Sequence, residues 1–291
     1  MKDKYQVGPL KRVCTINDFS GFGKCSLTVS IPILSVAGIE VCAMPTAVLS
    51  THTGEFEHYT YRDLTEDLPA YMEHWLSLNI QFAGIYTGYL GSTQQSEMVL
   101  QYIHKAKTLQ TLIFIDPVMG DHGKLYQNFN EDRVNEMKKL CQNADFIFPN
   151  MTEATALAGI SYQGNGYDES YIQQIFDGLQ KFNVQHIILT GVENDKNQIG
   201  VVAIDREIKE KIMFFEHQTP GNFHGTGDVF ASFFIAGILN ALNFKRSLKM
   251  ALELTNEAVR RTWARQTPLR EGLDFEHVLP NLISKIKDQN E

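Results

Sequence analysis

The apolar residues in the middle of the chain occur in short continuous runs, and longer segments of mixed polarity separate them. Such runs are typical of strands that are buried on both faces of a sheet. Three of these strands are predicted, at LIFIDP (112–117), DFIFPN (145–150) and HIILTG (186–191). Helices are predicted between and after them, around 131–141, from Thr152 and Glu153 onward, and over 168–182. This alternation predicts a largely parallel sheet with helices on both faces.

The two ends of the chain have patterns of their own. Residues 13–26 predict a strand, a glycine-containing loop and a helix, and residues 41–56 predict one or two strands rich in Thr and Ser. Residues 198–205 and 207–217 predict a hairpin. The remainder is predicted to be helical, over 228–241, 245–264 and 275–287. The length of 291 residues suits one large α/β domain, so we expect a single domain over 1–291.

Polar residues follow each of the three buried strands. They are Asp116, Asn150 with Glu153, and Thr190. Ligands of parallel α/β sheets bind beyond the carboxyl ends of the strands. The repetition of acidic and polar groups at successive strand ends therefore predicts a ligand site at this edge.

The sequence HGTGDVFAS at 224–232 runs directly into an apolar segment that predicts a buried helix from Asp228. The amides of Gly225, Thr226 and Gly227 would then lie at a helix N-terminus, where they favour an anion. A carboxylate in this position is unusual for a passive phosphate site, because its negative charge repels phosphate. The same carboxylate can act as a base. Asp228 is therefore interpreted as the group that takes a proton from a substrate hydroxyl. A purely structural alternative is an Asp that stabilises the first turn of a core helix.

Composition and charge exclude several classes of partner. Hydrophobic content is 43 % and the net charge is −8, so nothing indicates binding to nucleic acid or to an anionic membrane. The longest apolar run, 229–242, is about 14 residues, short of the ~20 that span a bilayer. The four cysteines form no C-x-x-C pair, and residues 1–12 lack the apolar core of a signal peptide. We therefore expect a cytoplasmic protein.

Several motifs together resemble one known family. They are TINDFSGFGK (15–24), PTAVLSTHT (45–53), TGYLGS (87–92), DPVMGDHGKLY (116–126), FPNMTEA (148–154), LTG (189–191) and HGTGD (224–228). In this order they resemble the ribokinase-like small-molecule kinases, and within them the pyridoxal kinases. The resemblance implies a three-layer α/β/α sandwich with a mostly parallel central sheet.

The resemblance also implies an activity, ATP-dependent phosphorylation of the 5′-hydroxymethyl group of a B6 vitamer. It implies Asp228 as the base, with the anion hole at Gly225, Thr226 and Gly227. It places Asp116, Asn150, Glu153 and Thr190 at ATP, with Asp116 and Glu153 near Mg²⁺, Glu153 through water. It places Thr46 and Tyr89 at the vitamin and makes Asp121 to Tyr126 a mobile cover over ATP. It further implies a homodimer, and it leaves a monovalent-cation requirement open.

One departure from the family bears on the substrate. Pyridoxal kinases often carry a serine where this chain has Asp18, and the loop NDFSGFG is similar to that of hydroxymethylpyrimidine kinases. We hypothesise that Asp18 pairs with a protonated pyridine nitrogen, the alternative being that it caps the loop or the next helix. His52 is a candidate substrate contact or a hydrogen-bonded turn residue. Lys24 is a candidate contact to a phosphate or substrate oxygen, or a solvated lysine.

These motifs leave three functions open. A pyridoxal kinase is favoured, because the pyrimidine kinases usually carry Cys where this chain has Asp228 and lack this form of PTAVLSTHT. The first alternative is a hydroxymethylpyrimidine kinase of the same fold. The second is a ligand sensor that has lost its chemistry, and Asp116, Glu153 and Asp228 argue against it.

Overall fold

The computed structural model describes residues 10–127, 129–164, 166–194, 197–206 and 210–288. Within these residues, eleven strands form a large sheet and a small one. The strands are β1 (Arg12–Phe22), β2 (Glu40–Thr51), β3 (Tyr61–Asp63), β4 (Gly84–Thr87), β5 (Leu112–Ile115), β6 (Gly120–Asp121), β7 (Lys124–Leu125), β8 (Phe146–Ile147), β9 (His186–Asn194), β10 (Gln198–Asp205) and β11 (Glu210–His217).

The large sheet has the order β11-β10-β9-β8-β5-β4-β1-β2-β3. All pairs from β2 through β1, β4, β5 and β8 to β9 are parallel. The pairs at the two edges are antiparallel, β3 on β2 and the β10–β11 hairpin on β9. The predicted mostly parallel sheet is confirmed.

The α-helices pack on both faces of this sheet. They are α1 (Leu27–Val36), α2 (Leu68–Ser77), α3 (Thr93–Ala106), α4 (Glu131–Cys141), α5 (Met151–Ala158), α6 (Glu169–Leu179), α7 (Thr226–Leu239), α8 (Phe244–Arg265) and α9 (Leu279–Lys287). One apolar core includes side chains of α3 to α6, and a second includes side chains of α1 and α7 to α9. The arrangement is the predicted α/β/α sandwich.

Strand β5 shows why the central apolar runs are continuous. Ile113 and Ile115 belong to the first core, and Phe114 between them belongs to the second. Successive side chains of a strand point to opposite faces, so a strand covered on both faces must be apolar at every position.

Two predicted helix starts differ from the structure by two residues or more. The helix predicted from Asp228 begins at Thr226, because Gly225 adopts a left-handed conformation, φ 79°, and serves as its N-cap. The helix predicted over 275–287 consists of a 3₁₀ turn, Glu276–Val278, followed by α9, whose first turn contains Pro280. The strand predicted over 207–217 is described from Glu210 onward, and 207–209 lie outside the described residues. No helix in the described ranges combines the length and the apolar character that crossing a membrane requires.

Candidate active site

The polar residues at the strand ends lie at one edge of the sheet, as predicted. Asp116 follows β5, Asn150 follows β8, and Thr190 lies on β9. These three strands are adjacent, and Asn150 and Thr190 themselves form an isolated parallel bridge. The topology therefore brings together three residues that are far apart in the sequence.

Asn150 and Glu153 form a capping box at the start of α5. The Asn150 side chain accepts the Glu153 N–H at 2.9 Å, and Glu153 Oε2 accepts the Asn150 N–H at 2.9 Å. Glu153 Oε1 accepts the Met119 N–H at 3.0 Å, and Asn150 Nδ2 donates to the Gly120 carbonyl at 2.8 Å. Both side chains thus hold the segment after Asp116 against α5. Since amide donors already occupy both oxygens of Glu153, a water-bridged contact suits it better than direct coordination.

Asp116 lies at the centre of an acidic cluster. Its side chain is buried, and burial raises its pKa, with the charges of Glu153 and Asp228 adding to the effect. Its Oδ2 is 3.8 Å from where a β-carbon on Gly227 would lie. In the described part of the chain no donor hydrogen-bonds the Asp116 carboxylate. Several carboxylates in a desolvated region create a negative potential that favours a cation.

The first turn of α7 carries backbone N–H groups close to these acids. Gly225 is the N-cap, and no described acceptor takes the N–H groups of Gly225, Thr226 or Gly227. The first amides of a helix have no intrahelical partner, and the helix dipole adds partial positive charge at this end. The turn can therefore hold an anion within reach of Asp228.

Asp228 lies on this same turn and is held from the opposite side by β1 and the loop after it. Its Oδ2 accepts the backbone N–H of Ser26 at 2.9 Å, and its Oδ1 lies 3.5 Å from Asn17 Nδ2. Burial raises the pKa of Asp228 to about 6, and the nearby charge of Asp18 contributes, while the Ser26 and Asn17 hydrogen bonds oppose the shift. A carboxyl group with this pKa is ionised at neutral pH and can still accept a proton.

Asp18 lies at an irregularity in β1. The register between β1 and β2 shifts between Asn17 and Phe19, so that Thr46 and Ala47 both lie opposite Asp18. Asp18 accepts hydrogen bonds from Ser26 Oγ at 2.5 Å and from Ser20 Oγ at 2.8 Å. Burial raises its pKa, and these hydroxyl groups oppose the shift. Its side chain makes no helix cap, but its bonds to Ser20 and Ser26 hold the segment that leads to α1, so the loop-capping alternative fits its contacts.

Tyr89 is positioned through its backbone. Its N–H donates to Asn17 Oδ1 at 2.8 Å, and its carbonyl accepts the hydroxyl of the buried Thr46 at 3.2 Å. Gly88 allows this approach, because a β-carbon there would lie 2.2 Å from Asn17 Nδ2. Asn17 thus touches both Tyr89 and Asp228, a connection that the sequence did not reveal.

Arg133 is a second residue near Tyr89 that the sequence analysis missed. Its guanidinium group lies 3.7 Å from the centre of the Phe129 ring and donates to the Leu90 carbonyl. Burial lowers its pKa, while Tyr89 and Tyr61 oppose the shift. Its only signal in the sequence would have been an arginine on the inner face of an amphipathic helix, which by itself does not identify a site.

His52 and Lys24 make contacts within the protein. His52 Nε2 lies 2.6 Å from the Arg270 carbonyl, its Nδ1 accepts the Gly54 N–H at 3.1 Å, and burial lowers its pKa. The Lys24 ammonium donates to the Leu273 carbonyl at 3.0 Å and to Glu276 at 2.9 Å. The hydrogen-bonded alternative fits His52. Lys24 is more than a solvated lysine, because its ammonium group pairs with Glu276.

Residues 120–126 form the small hairpin β6–β7 and the tyrosine after it. The Gly123 N–H donates to Thr152 Oγ1 at 2.8 Å, and the Tyr126 N–H donates to the Met119 carbonyl at 2.9 Å. Burial raises the pKa of Tyr126, and the acids Glu153, Asp121, Asp116 and Asp228 add to the shift. The hairpin thus carries a phenol group close to the acidic cluster.

Comparison with known proteins gives a consistent result. The phosphomethylpyrimidine kinase family model matches residues 33–270. A pyridoxal kinase from Dictyostelium discoideum is 30% identical over 211 residues, which are 67% of this chain and 67% of the relative.

Two solved structures are similar over nearly the whole chain. One is a protein from Bacteroides thetaiotaomicron, described as a phosphomethylpyrimidine kinase and crystallised with pyridoxal. It has a TM-score of 0.89 at 35% identity and covers 94% of this chain and 96% of its own. The other, pyridoxal kinase from Lactobacillus plantarum, has a TM-score of 0.88 at 30% identity and covers 97% and 100%. The predicted membership of the ribokinase-like kinases is confirmed, and the chain belongs to their phosphomethylpyrimidine kinase family.

Proposed function

We propose that this kinase transfers the γ-phosphoryl group of ATP to the 5′-hydroxymethyl group of pyridoxal, pyridoxine or pyridoxamine. The observation that carries the proposal is the position of Asp228 on the same helical turn as the amides of Gly225, Thr226 and Gly227, for which the described residues provide no acceptor. The structural relative crystallised with pyridoxal supports the choice of acceptor.

In the proposed reaction Asp228 accepts the proton of the substrate hydroxyl while the hydroxyl oxygen attacks the γ-phosphorus of ATP. The bond between this phosphorus and the β–γ bridging oxygen breaks, and ADP leaves. The amides at the start of α7 hold the equatorial oxygens of the phosphoryl group while charge spreads over them. Phosphoryl transfer requires positioning and charge stabilisation more than covalent chemistry, so a base and an anion hole meet most of its demands.

Mg²⁺ fits the acidic cluster. Asp116 offers a carboxylate that no described donor occupies, and Glu153 can act through water, which suits an ion that keeps several of its waters. When bound, Mg²⁺ neutralises charge on the phosphates of ATP. In the described residues no group of three or more His, Cys, Asp or Glu side chains forms a metal cage, so the remaining ligands would be phosphate and water.

The remaining ATP contacts are assigned to the neighbouring strand ends. Asn150 and Thr190 lie next to each other, and the phosphates would lie along this edge of the sheet. The 120–126 hairpin would cover ATP and exclude water, which otherwise competes with the vitamin as the phosphoryl acceptor.

The vitamin is assigned to the region beside β1, β2 and β4 where Asp18, Thr46 and Tyr89 lie. Tyr89 would lie against the pyridine ring, Thr46 would line the pocket, and Asp18 would pair with the protonated ring nitrogen. His52 would border the same region. Since Ser20 and Ser26 already hydrogen-bond Asp18, its carboxylate is held in place before the substrate binds.

A hydroxymethylpyrimidine kinase is the second candidate, and one observation favours it, the family model itself. A coupled assay that compares pyridoxal with hydroxymethylpyrimidine separates the two candidates. A non-catalytic sensor is disfavoured, because Asp116, Glu153 and Asp228 are all present and grouped.

The single-domain organisation, the homodimer and the cytoplasmic location are further proposals. The homodimer rests on the family resemblance, and sedimentation analysis would test it.

The net charge of −8 supports the absence of nucleic-acid and membrane partners. Activity measured in K⁺, Na⁺ and a bulky organic cation would decide whether a monovalent ion is required.

A further inference from the structure

Ser26 contacts two of the acidic residues of the site, Asp18 and Asp228. Its hydroxyl donates to Asp18 Oδ1 at 2.5 Å, and its backbone N–H donates to Asp228 Oδ2 at 2.9 Å. Asp18 and Asp228 are 210 positions apart in the sequence, yet one buried serine contacts both carboxylates.

The hydroxyl of Ser26 does not perform the role that its position suggests. Ser26 is the N-cap of α1, where serine is favoured because its side chain accepts a hydrogen bond from the first turn. No such capping bond is present, and the hydroxyl donates to Asp18. A purely helix-capping role therefore does not explain this residue.

The backbone of Ser26 is held in a conformation that residues with a β-carbon rarely adopt. Its φ is 57° and its ψ is −127°, which correspond to the first central position of a type II′ turn, where glycine is preferred. This conformation directs the Ser26 N–H towards Asp228. The hydrogen bond to Asp18 is a contact that opposes relaxation of the turn.

The same turn is fixed on its other side. Lys24, also at positive φ, donates to Leu273 and Glu276, and its carbonyl packs against Gly225. The Ser26 amide therefore lies between a loop that is held by the C-terminal segment and the first turn of α7.

We propose that Ser26 is a positioning residue for phosphoryl transfer. Its hydroxyl bond to Asp18 holds the strained backbone, and this backbone keeps the Ser26 amide on Asp228. The substrate-binding carboxylate and the base are thereby placed relative to each other by one residue. This inference rests on the role of Asp228 in the function proposed above.

The test compares Ser26→Ala with Ser26→Gly, with Ser20→Ala as the matched control. Both Ser26 variants lose the hydroxyl, but only glycine adopts the required backbone without strain, so it keeps the amide on Asp228. We expect the kcat of Ser26→Ala to be more than about tenfold lower than the kcat of Ser26→Gly. Ser20→Ala removes a hydroxyl from the same carboxylate without touching Asp228, so it should raise KM for pyridoxal and change kcat much less than Ser26→Ala.

Equal losses of kcat in the alanine and glycine variants of Ser26 would overturn the proposal, as would a Ser20→Ala variant with the same loss. Thermal unfolding and ADP binding check that each variant is folded.

If Ser26→Ala does not fold, Ser26→Gly is the deciding variant. A loss of kcat in Ser26→Gly as large as that in Asp228→Asn contradicts the proposal. If wild type phosphorylates only the pyrimidine, the proposed substrate is wrong, and the same comparison with that acceptor still tests Ser26. An enzyme inactive on both acceptors contradicts both proposals.

Discussion

The α-carbon of Gly225 packs against the carbonyl oxygen of Lys24, and a β-carbon on Gly225 would lie 2.4 Å from that oxygen. Gly225 also has a φ of 79°, which suits glycine. The anion turn and the loop before α1 therefore fit together only because residue 225 has no side chain.

Gly225→Ala should lower both stability and activity. We expect a loss of about 1–3 kcal/mol in the free energy of unfolding from backbone strain, with a further loss of similar size from the overlap with Lys24. Gly38→Ala is the matched control, because Gly38 has nearly the same φ, 78°, and nothing within 4 Å of its added β-carbon. Chemical denaturation of both variants measures the difference, and equal losses would contradict the packing argument.

Asp228→Asn should lower kcat by about 10²- to 10⁴-fold, the range that general base catalysis contributes. Asparagine keeps an oxygen that can accept the Ser26 N–H, so the turn and the binding of both substrates should persist. Steady-state kinetics and calorimetric titration with pyridoxal and with ADP measure the two effects. A variant that keeps kcat within about tenfold of wild type would show that Asp228 is not the base.

The activity should fall on the acid side as Asp228 becomes protonated. Its pKa is raised to about 6, and the base works only when ionised, so kcat/KM should be high above this pH and decline below it. Since the charge of Asp18 contributes to raising this pKa, Asp18→Asn should move the acid limb of the kcat/KM against pH profile to lower pH. An acid limb that stays at the same pH, or moves to higher pH, in Asp18→Asn would contradict this electrostatic link.

Asp18→Asn should also weaken vitamin binding. A charge-assisted hydrogen bond contributes about 1.5–3 kcal/mol, so KM for pyridoxal should rise by about 10- to 100-fold. Ser20→Ala serves as the control for disturbance of the Asp18 carboxylate without loss of its charge. An unchanged KM for pyridoxal in Asp18→Asn would rule out pairing with the ring nitrogen.

The sequence predicted the parts of the site that follow from local pattern. Asp116 and Asn150 come after buried strands, and Thr190 follows the apolar half of β9; parallel topology places such residues at one edge. The turn at Gly225 to Asp228 could be identified because two glycines precede an apolar helix. The start of that helix was misplaced by two residues, because Gly225 itself caps it.

The connections between distant segments could not be predicted. Asn17 bonds the Tyr89 amide, and Ser26 bonds both Asp18 and Asp228, but each appears in the sequence as an ordinary polar residue beside a glycine-containing loop. The partners of Lys24 likewise lie in the C-terminal segment. Such contacts depend on how the sheet brings β1 next to the start of α7, and no local periodicity carries that information.

The central claim, phosphorylation of a B6 vitamer, is tested most directly by product formation with Mg·ATP and four acceptors: pyridoxal, pyridoxine, pyridoxamine and hydroxymethylpyrimidine. We predict that kcat/KM for at least one B6 vitamer exceeds that for the pyrimidine. A preference for the pyrimidine by more than about tenfold, a difference that the contacts of a small pocket readily produce, would contradict the proposed substrate.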